Sequence, residues 1–110
     1  MPSVTKLVLT IALTVGSVLS FSGDMTYFNP GLGACGWTNG DGDAIAALSP
    51  SKSGNCGRNI KIHYQGKSTS AKVVDKCPGC SAESIDVSPS VFEKLAPKDL
   101  GRVKVTWEFA

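Results

Sequence analysis

Two carboxylates and one close pair of cysteines stand out among the side chains able to do chemistry. Asp86 sits in Ile85-Asp86-Val87, between two aliphatic residues that a short strand would bury. An acid so flanked loses solvation, which raises a carboxyl pKa toward the range where it donates a proton near neutrality. Read more plainly, the same residue accepts backbone hydrogen bonds or caps the segment that follows. Asp75 closes the run AKVVD immediately before Cys77-Pro-Gly-Cys80. The other acids read as turn or surface residues: Asp24, Asp41, Asp43 and Asp99 near termini, glycine-rich turns or a helix exit. Glu83 falls in a loop, Glu93 on a helix and Glu108 on the outward side of the last strand.

Other chemistries find no support. The single histidine, His63, alternates with Lys61 and Gln65 on the polar side of its segment and reads as a solvated surface residue. No Ser-His-Asp or Cys-His constellation can be assembled once the cysteines are oxidised. The glycines at 31, 33, 36, 40 and 42 lack the strand-loop-helix setting of a phosphate loop. Cys35, Cys56, Cys77 and Cys80 allow three pairings. Cys77-Pro-Gly-Cys80 also has the spacing of a zinc knuckle or a thioredoxin-like redox motif, but one histidine is thin for zinc. The expected segment after it is another loop, not the helix that activates a redox cysteine. The preferred reading is a pair of structural disulfides, Cys35–Cys56 and Cys77–Cys80, with no metal or cofactor. Closing the longer loop contributes about 3 kcal/mol, mainly through the unfolded state.

The elements that must position these groups are short. Gly23–Phe28 reads as a strand, and Asn29–Asp43, with its proline and many glycines, as loop pinned by Cys35. Ala44–Leu48 is a brief apolar run of either type. Asn59–Tyr64 alternates, with Ile60, Ile62 and Tyr64 on one face. Gln65-Gly66 is a turn and Lys67–Val74 the returning hairpin strand. Ile85–Val87 is a three-residue strand. Ser88-Pro89 opens a helix over Pro89–Leu95 as N-cap and first-turn proline, with Ser90 to Glu93 a competing capping box. Arg102–Phe109 alternates again, with Val103, Val105, Trp107 and Phe109 inward. Five or six short strands, one small helix and no βαβ periodicity predict an all-β chain closed into a small barrel.

Ahead of this, Leu7–Leu19 is a run of 13 uncharged residues after a Lys-bearing start. It is shorter than the roughly 20 residues a membrane span takes and suits the apolar region of a secretory leader. Cleavage after Ser20 or Ser22 fits, the latter preferred, giving a leader at 1–22 and one domain at 23–110. A domain of about 88 residues buries only about 60–65% of its unfolded surface, so covalent staples are expected. The chain carries 11 Lys and Arg against 9 Asp and Glu, a formal charge of +2. That argues against a dedicated nucleic-acid binder. With 12 Gly, 6 Pro and 18% charged residues the composition is turn-rich and excludes coiled coils and helix bundles.

GDMTYFNPGLGACGW, then DAIAALSP, NCGRNIKI, AKVVDKCPGC, SIDVSPSVFEKLA and a closing GRVKVTWEF follow one another in an order that resembles a family. The sequence is similar to the double-psi β-barrels of expansins, barwin-like and rare-lipoprotein-A-like proteins, above all to small fungal single-domain loosenins. The resemblance covers Gly23 to Phe109 and implies a six-stranded double-psi barrel with one short helix. It places Ser84-Ile85-Asp86-Val87-Ser88 where expansins and related inverting endoglucanases carry an H-F-D-L-S-like motif, making Asp86 the central acid of a glycan groove. It implies groove roles for Thr26 and Tyr27 (the first-strand T-[FY] element), for Asp75 as a second acid, and for Trp37 as a stacking aromatic.

Phe28-Asn29-Pro30 stands where the endoglucanases place their general base, and Ala46-Ala47-Leu48 where peptidoglycan transglycosylases place a histidine. The implied function is therefore a secreted, monomeric, extracellular protein that binds and loosens β-1,4-linked wall polysaccharide, cellulose or chitin, without substantial hydrolysis. It would have no membrane association after leader cleavage. If any catalysis occurs, Asp86 and Asp75 would carry it. The rival readings are a protein-binding module, such as a cysteine-protease inhibitor or barwin-like defence protein, and a weak endoglucanase.

Overall fold

The structure is a computed structural model describing residues 19–110. The apolar run expected as a leader falls, apart from Leu19, outside the described residues. Six strands close into a barrel: β1 (Phe21–Tyr27), β2 (Ile45–Leu48), β3 (Asn59–Tyr64), β4 (Lys67–Lys76), β5 (Ile85–Val87) and β6 (Val103–Phe109), with one α-helix, α1 (Pro89–Leu95). Their order around the barrel is β1-β5-β2-β4-β3-β6. β1 runs parallel to β5 and β2 parallel to β4, while the remaining neighbours are antiparallel.

Alternation builds the interior as the sequence predicts. Ile60 and Ile62 of β3 and Val103, Val105 and Trp107 of β6 are buried, joined by Met25, Leu48, Ile85 and Val87. Val91, Phe92 and Leu95 of α1 complete the same core. Within Ala44–Leu48, Ile45–Leu48 forms a strand because β2 is enclosed on both sides, between β4 and β5, and each of its residues is buried. The Gln65-Gly66 turn forms with both residues at positive φ, 47° and 82°, the twist a tight hairpin demands.

Two strand ends lie two residues from where they were expected, and one expected cap does not form. β1 starts at Phe21 rather than Gly23, because the Phe21 ring lies 4.5 Å from Trp107 and caps the core beside Phe109. β4 runs on to Lys76, two residues past Val74, held by its ladder to β2. Ser88 precedes α1 but its hydroxyl donates to the Asp43 carbonyl instead of capping the helix, so it ties the helix start to the loop before β2.

The disulfides join Cys35 to Cys56 and Cys77 to Cys80, with Cα separations of 5.8 and 5.4 Å. His63 faces outward, its Nε2 2.9 Å from Glu108 Oε2 across the β3–β6 pair.

Candidate functional site

The site is a row of residues on the outside of the barrel. Thr26 of β1 stands opposite Asp86 of β5, Asp86 opposite Ala47 of β2, and Ala47 opposite Asp75 of β4. Asp86 points outward for the reason its sequence suggests: Ile85 and Val87 turn inward and are fully buried, leaving the middle residue of the strand to the other face. Asp75 reaches the same face by an irregularity. Ala46 pairs with Val73 and Ala47 with Asp75, so Val74 is an extra residue in β4 that reverses the side-chain alternation. Ala47 contributes only a methyl between the two acids. Adjacent strands lie about 4.8 Å apart, so the two carboxylate-bearing backbones are about 10 Å apart.

Asp86 forms the floor of an open depression of about 410 Å³ that Thr26, Asp24, Arg102, Ser84 and the Cys77–Cys80 loop also line. The Thr26 hydroxyl donates to Asp86 Oδ1 at 3.0 Å. Burial pushes the Asp86 carboxyl above its ordinary value; the Thr26 hydrogen bond and the Arg102 charge oppose that, and the Asp75 charge adds to it. Asp24 behaves oppositely. Lys104 Nζ at 2.8 Å and Arg102 Nη1 at 2.9 Å hold it below the usual carboxylate range. One depression therefore holds two acids shifted in opposite directions, Asp86 upward and Asp24 downward.

Asp75 is used differently. Its Oδ1 accepts the backbone N–H groups of Ala34 and Lys76, both at 2.8 Å. Cys35 N–H donates to the Val74 carbonyl at 3.2 Å, so this end of β4 anchors the Asn29–Asp43 loop. Gly33 permits the contact, since a Cβ there would lie 2.5 Å from the Val74 carbonyl oxygen. On this side Asp75 lines a second, smaller cavity of about 140 Å³ beside the Cys35–Cys56 disulfide.

Two expected groove residues are not brought to the row. Tyr27 follows Thr26 on the same strand and so points to the opposite face. Its ring packs on Phe92 at 4.8 Å and its hydroxyl donates to the Lys98 carbonyl. Trp37 is 43% exposed on the loop, with Lys72 Nζ 4.5 Å from its ring centre and Gly57 at its edge, and it lines neither cavity.

The residues that sequence reasoning passed over are Asp24 and Arg102, read as terminal and strand-edge positions. The two-residue spacing of Asp24 and Thr26 along β1 was the available signal, since it puts both on one outer face. Among the described residues no group of three or more His, Cys, Asp or Glu side chains is arranged to hold a metal ion.

No family model matches the chain. It is 42% identical over 83 residues to the Allergen Asp f 7 homolog of Arthroderma benhamiae, a match covering 67% of this chain but 28% of that protein. It is 38% identical over 100 residues to the Papain inhibitor of Streptomyces mobaraensis, covering 80% of this chain and 70% of that one. The solved structure of Streptomyces papain inhibitor superposes with a TM-score of 0.77 at 33% identity, over 84% of this chain and 94% of that one. A Clavibacter michiganensis expansin variant solved in complex with cellohexaose also gives 0.77, at 18% identity, over 84% of this chain and 50% of that one; this likeness is one of fold.

Proposed function

The chain belongs to the barwin/expansin-like double-psi β-barrel family, and from that premise we propose that it is an extracellular protein that binds β-1,4-linked wall polysaccharide across the Thr26–Asp86–Asp75 row and loosens it without substantial hydrolysis. The observation that carries this reading is Asp86. It is a half-buried acid on the floor of an open depression, with its pKa raised by burial and a hydroxyl donor on one oxygen. Such a group exchanges hydrogen bonds with sugar hydroxyls as acceptor or, when protonated, as donor. It can therefore replace one glycan strand's contacts to another.

Inverting hydrolysis needs a second carboxylate about 6.5–9.5 Å away that is free to take a proton from water. Asp24 lines the depression, but Arg102 and Lys104 both hold it. Asp75 spends one oxygen on two backbone amides. Asp24 is engaged by two cations and Asp75 by two backbone amides, which supports a non-lytic action. The test is Asp86→Asn, assayed for weakening of cellulose and chitin sheets with soluble reducing sugar measured in the same tubes. Loss of weakening with little sugar released by either protein is the expected result; equal weakening by both overturns the assignment.

A second reading rests on a separate observation. The loop Asn29–Asp43 carries exposed Leu32 and Trp37 on a Leu32–Thr38 bridge, braced by Cys35–Cys56 and Asp75. A rigid loop bearing large apolar side chains suits insertion into a partner's cleft at low entropic cost, and one relative is named a papain inhibitor. Titration of papain separates the two: stoichiometric inhibition lost in Trp37→Ala but intact in Asp86→Asn favours a protein partner.

A further inference from the structure

The Cys77–Cys80 disulfide does little of the work of holding the barrel. It closes a loop of separation 3, whereas Cys35–Cys56 closes one of 21, and the entropic restraint of a cross-link grows with loop length. β4 and β5, which flank it, are each secured by ladders to strands on both sides. The loop's own backbone bonds are Cys77 N–H to Leu48 and Cys80 N–H to Cys77. Pro78 and Gly79 form its exposed tip. Yet both cysteines line the same open depression as Arg102 and Asp86. A disulfide of Cys-X-X-Cys spacing at the edge of a solvent-filled hollow, with a guanidinium in the lining, has the setting in which thiol–disulfide exchange is favoured.

We propose that Cys77–Cys80 is an exchangeable disulfide, attacked in this depression by a small peptide thiol of glutathione's size. A hollow of about 410 Å³ with Arg102, Ser81 and Ser84 in its lining admits such an anionic, polar molecule. The incoming thiolate forms a new S–S bond to one sulfur of the pair. The Cys77–Cys80 bond breaks, and its electron pair leaves on the other sulfur as a thiolate, in the depression that Arg102 also lines. A second molecule of the thiol then attacks the mixed disulfide, releasing the oxidised small-molecule disulfide and leaving Cys77 and Cys80 as a dithiol. Two electrons pass from two thiols to one protein disulfide, and no other reductant is needed.

Asp24 is paired with Arg102 and Lys104, so Asp86 is the acid of the depression that opposes an incoming anion. The inference is independent of the glycan reading.

The test incubates the oxidised protein with graded ratios of reduced to oxidised glutathione, traps free thiols by alkylation and maps both disulfides by mass spectrometry. Circular dichroism follows the fold in parallel. The expected result is a glutathionyl adduct or dithiol at Cys77 and Cys80 while Cys35–Cys56 stays closed and the barrel stays folded. The rate should fall several-fold in Arg102→Gln, and rise in Asp86→Asn. A Cys77–Cys80 bond that opens only once Cys35–Cys56 has opened, or only as the chain unfolds, overturns the proposal. So does an exchange rate at this loop that Arg102→Gln leaves unchanged.

Discussion

Replacing Thr26 by valine isolates the contact on which Asp86 depends. Valine matches threonine in shape and suits a strand, so the β1–β5 pairing of Met25 with Ile85 and of residue 26 with Asp86 is retained. What disappears is the hydroxyl that donates to Asp86 Oδ1 at 3.0 Å. A hydrogen bond to a charged group contributes about 1.5–3 kcal/mol when fully enclosed. Asp86 is half-exposed and water replaces part of the lost donor, so the expected destabilisation at neutral pH is about 1 kcal/mol, or about 4–8 °C in Tm for a domain of this size. The hydroxyl stabilises the ionised acid more than the protonated one. Its removal therefore leaves burial less opposed and moves the Asp86 pKa further upward. Consequently the stability loss in Thr26→Val is greater above that pKa than below it. Carboxyl carbon NMR of Asp86 during a pH titration, with urea unfolding at acidic and neutral pH, reads both effects. An Asp86 midpoint that stays put or falls in Thr26→Val refutes the reasoning.

Three further outcomes follow from the same contacts. Because the folded-state pKa of Asp86 lies above its unfolded value, the native state binds more protons in that interval, and this residue's contribution to stability falls as pH rises through it. Asp86→Asn is therefore expected to be more stable than the parent at neutral pH and to converge with it in acid; a gap that widens in acid contradicts this. Gly33→Ala sets a Cβ 2.5 Å from the Val74 carbonyl oxygen, lifting the loop from Asp75 at a cost of about 1–3 kcal/mol, seen as faster amide exchange at Ala34 and a lowered Tm. On the proposed extracellular reading, the mature chain is expected to begin at Phe21, because Phe21 packs on Trp107 and Ser22 N–H donates to Glu83. N-terminal sequencing checks this, and a chain starting at Gly23 that melts no lower than one starting at Phe21 counts against it.

The parts of this molecule that depend on local alternation were legible before the fold was known, and the parts that depend on closure were not. Ile60, Ile62, Val103, Val105 and Trp107 declare their inward face by spacing alone, and Ile85-Asp86-Val87 declares an outward acid by the same rule. The same rule should have separated Thr26 from Tyr27: neighbours on a strand cannot share a face, and the motif that joined them in sequence divides them between the groove and α1. Asp75 was beyond that rule's reach, since its side is set by the extra residue Val74, and a bulge is a property of the β2–β4 pairing rather than of β4.

Arg102 and Asp24 are 78 residues apart and meet only because β6 pairs with β1. Closure thus supplies the electrostatics as well as the shape. It buries Asp86 enough to raise its carboxyl pKa, and it brings two cations to Asp24 that engage that carboxylate. On the proposed non-lytic reading, removing both cations with Arg102→Ala and Lys104→Ala frees a carboxylate on β1 two residues from Thr26, on the strand beside Asp86. Soluble sugar release from amorphous cellulose should then rise above the parent's. A doubly substituted, folded protein that releases no more sugar than the parent shows that charge pairing at Asp24 is not the barrier to hydrolysis.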